Sequence, residues 1–271
     1  MFCWGFQAAA GLRHLSRGIW FAAVDTGCHR WSGRADDSCR YPALVAPVVN
    51  DGSLVAYWSG EGTDSTARDN SPNGNNGALI GDTTRATGAI GNGYSFDGDG
   101  DYINFGRSSK WNFLHDGSPF SITGYVAPTS SNLDGGILTT IDETSTAANR
   151  HGLSACLDGA RASVPHPGRW RKISHRSQIR NRFPDVFTAF AITFDGQTTQ
   201  LFINGQLEAT EKSRRPLRQQ HRFDALSMGS ISKFTSGPNG QPFSPFAGMI
   251  DEVQIYRSCA PVRPKSLCWR D

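Results

Sequence analysis

The stretch Phe187–Thr210 reads FTAFAITFDGQTTQLFINGQLEAT, and its side chains recur with a period of two. On an extended chain Phe190, Ile192 and Phe194 fall on one face, and Ala189, Ala191 and Thr193 on the other. That period belongs to a strand, because successive side chains of a strand point to opposite faces, whereas a helix repeats every 3.6 residues. Asp195-Gly196 and Asn204-Gly205 interrupt the run. Gly, Asn and Asp accept the positive φ that a two-residue hairpin needs, so three strands joined by two tight turns are predicted here. The two faces of the first strand differ in size rather than polarity. Both are therefore expected to be covered, which calls for a second sheet stacked on the first.

Most of the chain repeats this texture of short apolar runs and turn residues. Strands are predicted at Leu54–Trp58, Gly77–Ile80, Phe120–Val126, Gly136–Ile141, Gly152–Leu157, Ala225–Ile231 and Phe246–Tyr256. Ser59–Asn76 reads as a long polar loop, and Gly93–Phe105 (GYSFDGDGDYINF) as a hairpin with an Asp/Gly tip. The fold class is all-β, a two-sheet antiparallel sandwich over residues 51–259. Residues 1–50 are an unassigned extension and linker, and 260–271 a tail; both are expected to be poorly ordered. The apolar run Gly18–Val24, after Arg13 and Arg17, lies at the lower limit for a secretory signal.

The net charge of +3 is small but unevenly spread. Asp dominates Asp64–Asp101, while basic residues crowd Arg161–Arg182 and Lys212–Arg222. Ala160–Arg182 holds seven basic residues, no acid and little alternation, so 160–186 is predicted to be a solvated basic insertion or loop. A polyanion patch or a shifted reading frame would leave the same texture. Absent strand signals there would expose a sheet edge to a partner. No nucleic-acid partner is expected from the total charge. No apolar run approaches the roughly 20 residues of a membrane span. The cysteines at 3, 28, 39, 156, 259 and 268 show neither zinc spacing nor a dense disulfide pattern, so free thiols are expected.

Seven motifs in order resemble the laminin-G-like, concanavalin A-like jelly-roll superfamily, in particular the LamG-type modules of large bacterial surface proteins. They are LVAYW with Glu61-Gly62; Asp69–Gly77 (DNSPNGNNG); Gly93–Phe96 into Asp101-Tyr102-Ile103; FSITGYVAP; AITFDGQTTQLFINGQLEAT; LSMGS; and FAGMIDEVQIYRSCA. Together they span about Leu54–Cys259. Phe187 and Tyr125 stand where the family usually has Trp, and Ala160–Arg182 matches nothing in it. The resemblance implies two sheets packed face to face. It implies a non-catalytic recognition module, extracytoplasmic or secreted, for carbohydrate or an extracytoplasmic protein. The alternatives are a structural or adhesive domain of a larger surface protein, and a diverged glycoside hydrolase.

Some relatives bind calcium, which takes oxygen ligands. The candidates here are Asp69, Asn70, Asn75 and Asn76 of the polar loop, with Asp251 from the closing strand. Asp97, Asp99 and Asp101 alternate in DGDGD, but Tyr102 and Ser108 stand where an EF-hand needs Gly and Glu. A hairpin tip with solvated carboxylates is predicted, with a non-EF calcium contact as the alternative. For sugar binding, Trp111 and Phe113 with His115 and Asp116 would offer a stacking platform; the competing reading packs Trp111 over a sheet edge. Trp58 is read as core. No catalytic residue is assigned. The Glu-x-Asp-x-x-Glu pattern of related glycosidases is missing, and Asp251 and Glu252 are adjacent, which on a regular strand sends them to opposite faces.

Overall fold

The computed structural model describes residues 51–129, 135–140, 153–157, 162–165, 172–175, 186–212, 225–230 and 244–259, together with two short strands at 22–23 and 44–45. In chain order the first elements are β1 (Ala22–Ala23), β2 (Leu44–Val45), β3 (Leu54–Trp58), β4 (Thr66–Ala67), β5 (Gly77–Ile80), β6 (Thr84–Thr87), β7 (Asn92–Asp97) and β8 (Tyr102–Asn104). A 3-10 helix, Ser109–Leu114, precedes β9 (Phe120–Pro128), β10 (Gly135–Thr139), β11 (Ser154–Leu157), β12 (Ala162–Pro165) and β13 (Lys172–His175). The last are β14 (Thr188–Phe194), β15 (Thr198–Ile203), β16 (Gln206–Lys212), β17 (Ser227–Met228) and β18 (Ala247–Tyr256).

β1 and β2 pair with each other. The other strands form two antiparallel sheets, the two-layer sandwich that the alternation predicts. One runs β13-β12-β11-β10-β17-β8-β5-β4; the other runs β16-β15-β14-β9-β18-β7-β6, with β3 also on β18. β9 and β14 lie at the centre of the second sheet and every residue of both is buried. Their register sets Ile192 opposite Ile122 and Phe194 opposite Phe120, with ring centroids 5.5 Å apart. Phe96 meets Phe246 edge-on, and Trp58 packs on Phe105 with centroids 3.9 Å apart. Each such side chain contributes about 1.5–3 kcal/mol on burial, so this interior is the main stabilising term.

The two turns of Phe187–Thr210 differ in length. Asn204 and Gly205, at φ 49 and 78, make the expected two-residue connection. The other is longer: the Asp195 carboxylate accepts from the N–H groups of Gln197 and Thr198, and β15 starts only at Thr198.

Three expectations are corrected. Gly93–Phe105 is not a hairpin. β7 pairs with β6 and β18 in one sheet, and β8 with β5 and β17 in the other, so Gly98–Asp101 is a crossover between layers. Turn residues announce a reversal but do not say which sheet receives the next strand; burial of Phe96 and Ile103 on the two inner faces decides that. The basic segment is not one loop, since β12 and β13 lie inside it and pair with Val164 opposite Ile173. Strands of four residues give too short an alternation to stand out among arginines. Finally, β4 and β6 were not anticipated, and β17 is shorter than Ala225–Ile231. The remainder of 1–50, 160–186 and 213–222 and the tail 260–271 lie outside the described residues. Cys259 is a free thiol. Among the described residues no helix is long and apolar enough to cross a membrane.

Candidate functional site

Asp69 organises the polar loop. Its Oδ1 accepts from the N–H groups of Tyr57 (2.9 Å) and Ser71 (2.8 Å), and its Oδ2 from Ser71 Oγ (2.8 Å) and Asn75 N (2.6 Å). A carboxylate offers about four lone-pair sites, and four donors fill them. The neighbours are engaged too. Asn76 Oδ1 accepts from Asp69 N, Asn70 Nδ2 donates to Ser59 Oγ, and Asn75 Nδ2 donates to the Val55 carbonyl. Lys110 Nζ donates to Asn75 Oδ1. These bonds lash the loop to β3. Of the proposed calcium ligands in this loop, the side-chain oxygens of Asp69, Asn75 and Asn76 already accept hydrogen bonds from the chain.

Asp251 is not brought to that loop. It is fully buried, with Oδ2 accepting from Ile90 N at 3.1 Å and Oδ1 from Glu252 N at 2.7 Å. The turn before β7 presses on it: a Cβ at Gly88 would stand 2.5 Å from Asp251 Oδ2. Burial pushes the Asp251 carboxyl up to about 7, with the Glu252 charge adding, against the N–H of Ile90. Glu252 sits at φ 54 inside a bulge of β18, between the pairings of Asp251 and Gln254 with β9. The bulge breaks the strict alternation on which opposite faces for Asp251 and Glu252 depend. Glu252 Oε2 accepts from Tyr57 Oη at 2.8 Å, and burial, then the Glu61 charge, raises its carboxyl. Glu61 in turn accepts from Asn92 N and Nδ2. Sequence reasoning missed this gathering of Tyr57, Glu61 and Asn92 around the closing strand, since it joins residues far apart in the chain.

The stacking platform is also corrected. Trp111 is 0% exposed, Phe113 3% and His115 4%. A 3-10 turn has three residues per turn, so Trp111 and Leu114 share a face, and that face is in the core. Trp111 lies 6.2 Å from the Trp58 ring, and the Arg257 guanidinium covers Phe113 at 4.7 Å. Burial drives His115 down to about 4, and Asp116 spends Oδ1 on Ser118 N. A sugar face cannot reach these rings without unpacking them. Trp58 is core as expected, its Nε1 donating to the Asn75 carbonyl at 2.9 Å.

The DGDGD carboxylates divide. Asp97 and Asp99 are exposed, and Asp97 Oδ1 caps Asp99 N at 2.7 Å. Asp101 is not solvated; it is fully buried, and burial pushes its carboxyl up to about 6.

A family model described as the Concanavalin A-like lectin/glucanases superfamily matches residues 96–261. No curated protein matches the chain. Among solved structures, Domain 4 of AbnA, a GH43 extracellular arabinanase from Geobacillus stearothermophilus in complex with arabinotriose, is 17% identical. That match covers 78% of this chain and 95% of that one, with a TM-score of 0.55. The binding domain of Paraclostridial Mosquitocidal Protein 1 is 14% identical over 78% of this chain and 50% of that one, with a TM-score of 0.56. Trypanosoma rangeli sialidase in complex with sialic acid is 14% identical over 82% of this chain and 33% of the enzyme, again at 0.56. At these identities the likeness is one of fold.

Proposed function

The chain belongs to the concanavalin A-like lectin/glucanases superfamily, and from that membership we propose that it is a non-catalytic recognition module for carbohydrate or an extracytoplasmic protein. The observation that carries the reading is the family match over residues 96–261, laid on a sandwich whose architecture is also that of the arabinanase domain solved with arabinotriose. That neighbour is one domain of an extracellular arabinanase, solved with arabinotriose and matched over nearly its full length, which supports a binding role outside the cytoplasm.

The acids support the non-catalytic half of the proposal. Glycoside hydrolysis needs two carboxyl groups flanking a groove, about 5–5.5 Å apart for retention and wider for inversion. Glu61, Asp251 and Glu252 come together at the closing strand, but each holds an N–H or hydroxyl of the fold, and Asp251 is sealed from solvent. They act as fasteners there.

The test is a glycan array carrying arabinan and sialylated sugars, probed with folded full-length chain, with and without calcium. Saturable binding to a defined glycan class is expected, with no new reducing ends released. Folded chain that binds no glycan and no extracytoplasmic protein points to a structural or adhesive domain instead. Release of reducing sugar overturns the non-catalytic reading.

A further inference from the structure

Two crossovers between the sheets run side by side. Gly81–Thr83 carries the chain from β5 in one sheet to β6 in the other, and Gly98–Asp101 carries it back from β7 to β8. They touch closely. A Cβ on Gly81, at φ 72, would stand 3.1 Å from Asp101 Cα and 3.2 Å from the Gly100 carbonyl oxygen. The first crossover brings Asp82, the second Asp97 and Asp101, and one carboxylate oxygen from each lies within 4.8 Å of the others.

Three carboxylates this close repel one another unless a positive charge stands between them. Among the described residues the ion pairs are Arg68–Asp64 and Arg85–Asp64, so no basic side chain serves this group. Asp101 supplies the second observation. It is 0% exposed; Oδ2 accepts from Asp97 N at 2.9 Å, but Oδ1 has no hydrogen-bond partner. Buried carboxylate oxygens are normally bonded or metal-bound, because stripping one of water without compensation is costly. Asp82 and Asp97 are exposed, so the open side of the group faces water.

We propose that Asp82, Asp97 and Asp101 bind one calcium ion where the two crossovers meet, clamping the β5–β6 and β7–β8 connections together. The donor set is all oxygen, which suits a hard cation and not zinc, whose sites favour nitrogen and sulfur. Calcium takes six to eight oxygens in loose geometry, so water can complete the shell on the exposed side, and the Gly100 carbonyl lies at the same junction. Magnesium demands a tighter octahedron and sheds water reluctantly, which two turns from separate strands serve poorly. The site is independent of the carbohydrate reading and uses none of the residues of the polar loop, where four donors fill the Asp69 carboxylate.

The experiment uses the full chain stripped with EGTA, titrated with calcium chloride by calorimetry over a magnesium background, with thermal unfolding in parallel. One ion per chain is expected, with an affinity reaching about 0.1–1 mM and a calcium-dependent rise in Tm. Asp82→Asn should weaken binding at least tenfold. Asp82 is exposed and holds no bond of the fold, so in EGTA that variant should melt no lower than the unaltered chain. Asp69→Asn should keep the same calcium stoichiometry. Folded chain that takes up no calcium at several millimolar overturns the proposal. So does an Asp82→Asn chain that binds as the original does, or calcium binding lost in Asp69→Asn but kept in Asp82→Asn.

Discussion

The backbone N–H of Ile90 donates to Oδ2 of Asp251 at 3.1 Å, across 161 positions of sequence. The bond fixes the turn before β7 to the last strand, and Gly88 lets that turn come close enough to make it. Asp251→Ala removes the acceptor and leaves Ile90 and Glu252 N–H groups short of a partner. An unsatisfied buried donor costs about 1–3 kcal/mol, so urea unfolding should show a loss of at least that size. A loss under about 0.5 kcal/mol would mean that water replaces the carboxylate.

Asp69 performs the same service for the polar loop with four bonds instead of two. Asp69→Ala should cost about 2–3 kcal/mol, since each bond contributes about 1 kcal/mol net and the donors partly rehydrate. Asp69→Asn keeps acceptor capacity on one oxygen and should fall between. Equal unfolding midpoints for the alanine variant and the original would remove Asp69 from its organising role.

Trp111 separates a core role from a binding role. Trp111→Ala should lower stability by about 3–5 kcal/mol, the usual range for a large aromatic lost from an interior. Trp111→Phe should cost less and leave affinity for any glycan found on the array unchanged. A Trp111→Phe chain that melts normally but loses its glycan would restore the aromatic platform at the surface.

Local chemistry explains what was legible before the structure. Alternation in Phe187–Thr210 is a property of neighbouring residues, so β14, β15 and β16 and the Asn204-Gly205 turn could be read directly. The sandwich followed because Ala189 and Phe190 both had to be covered. Partnership between sheets is not local, and there the reading erred. Tyr94 and Ile103 flank one Asp/Gly turn yet join different layers. Trp111 and Phe113 stand among polar residues, but a 3-10 turn sets Trp111 with Leu114 on the core face and Arg257 covers Phe113. Asp82 carries no signal of its own: its nearness to Asp97 and Asp101 arises only when two crossovers are laid side by side.

Asp251 also sets a pH dependence whose sign can be worked out. Its carboxyl titrates near 3.8 in the unfolded chain and is raised to about 7 in the fold. Below 3.8 both states hold the proton and the stabilising contribution is fully present. As pH rises from about 4 towards 7, the unfolded chain releases its proton while the fold retains it, so unfolding becomes easier, and above 7 the loss is complete. His115 acts in the opposite direction. Held near 4 by burial, against 6.5 when unfolded, it makes stability fall as pH drops through that interval. The summed curve of the unaltered chain therefore hides both effects, and a difference is the proper measurement. Asp251→Asn keeps an acceptor for Ile90 and cannot titrate. In EGTA, the Tm of the unaltered chain minus that of Asp251→Asn should decline from pH 4 to 7 and then level off. Parallel curves across that range would show that Asp251 is already ionised in the folded protein at pH 4, and that the N–H groups of Ile90 and Glu252 outweigh its burial.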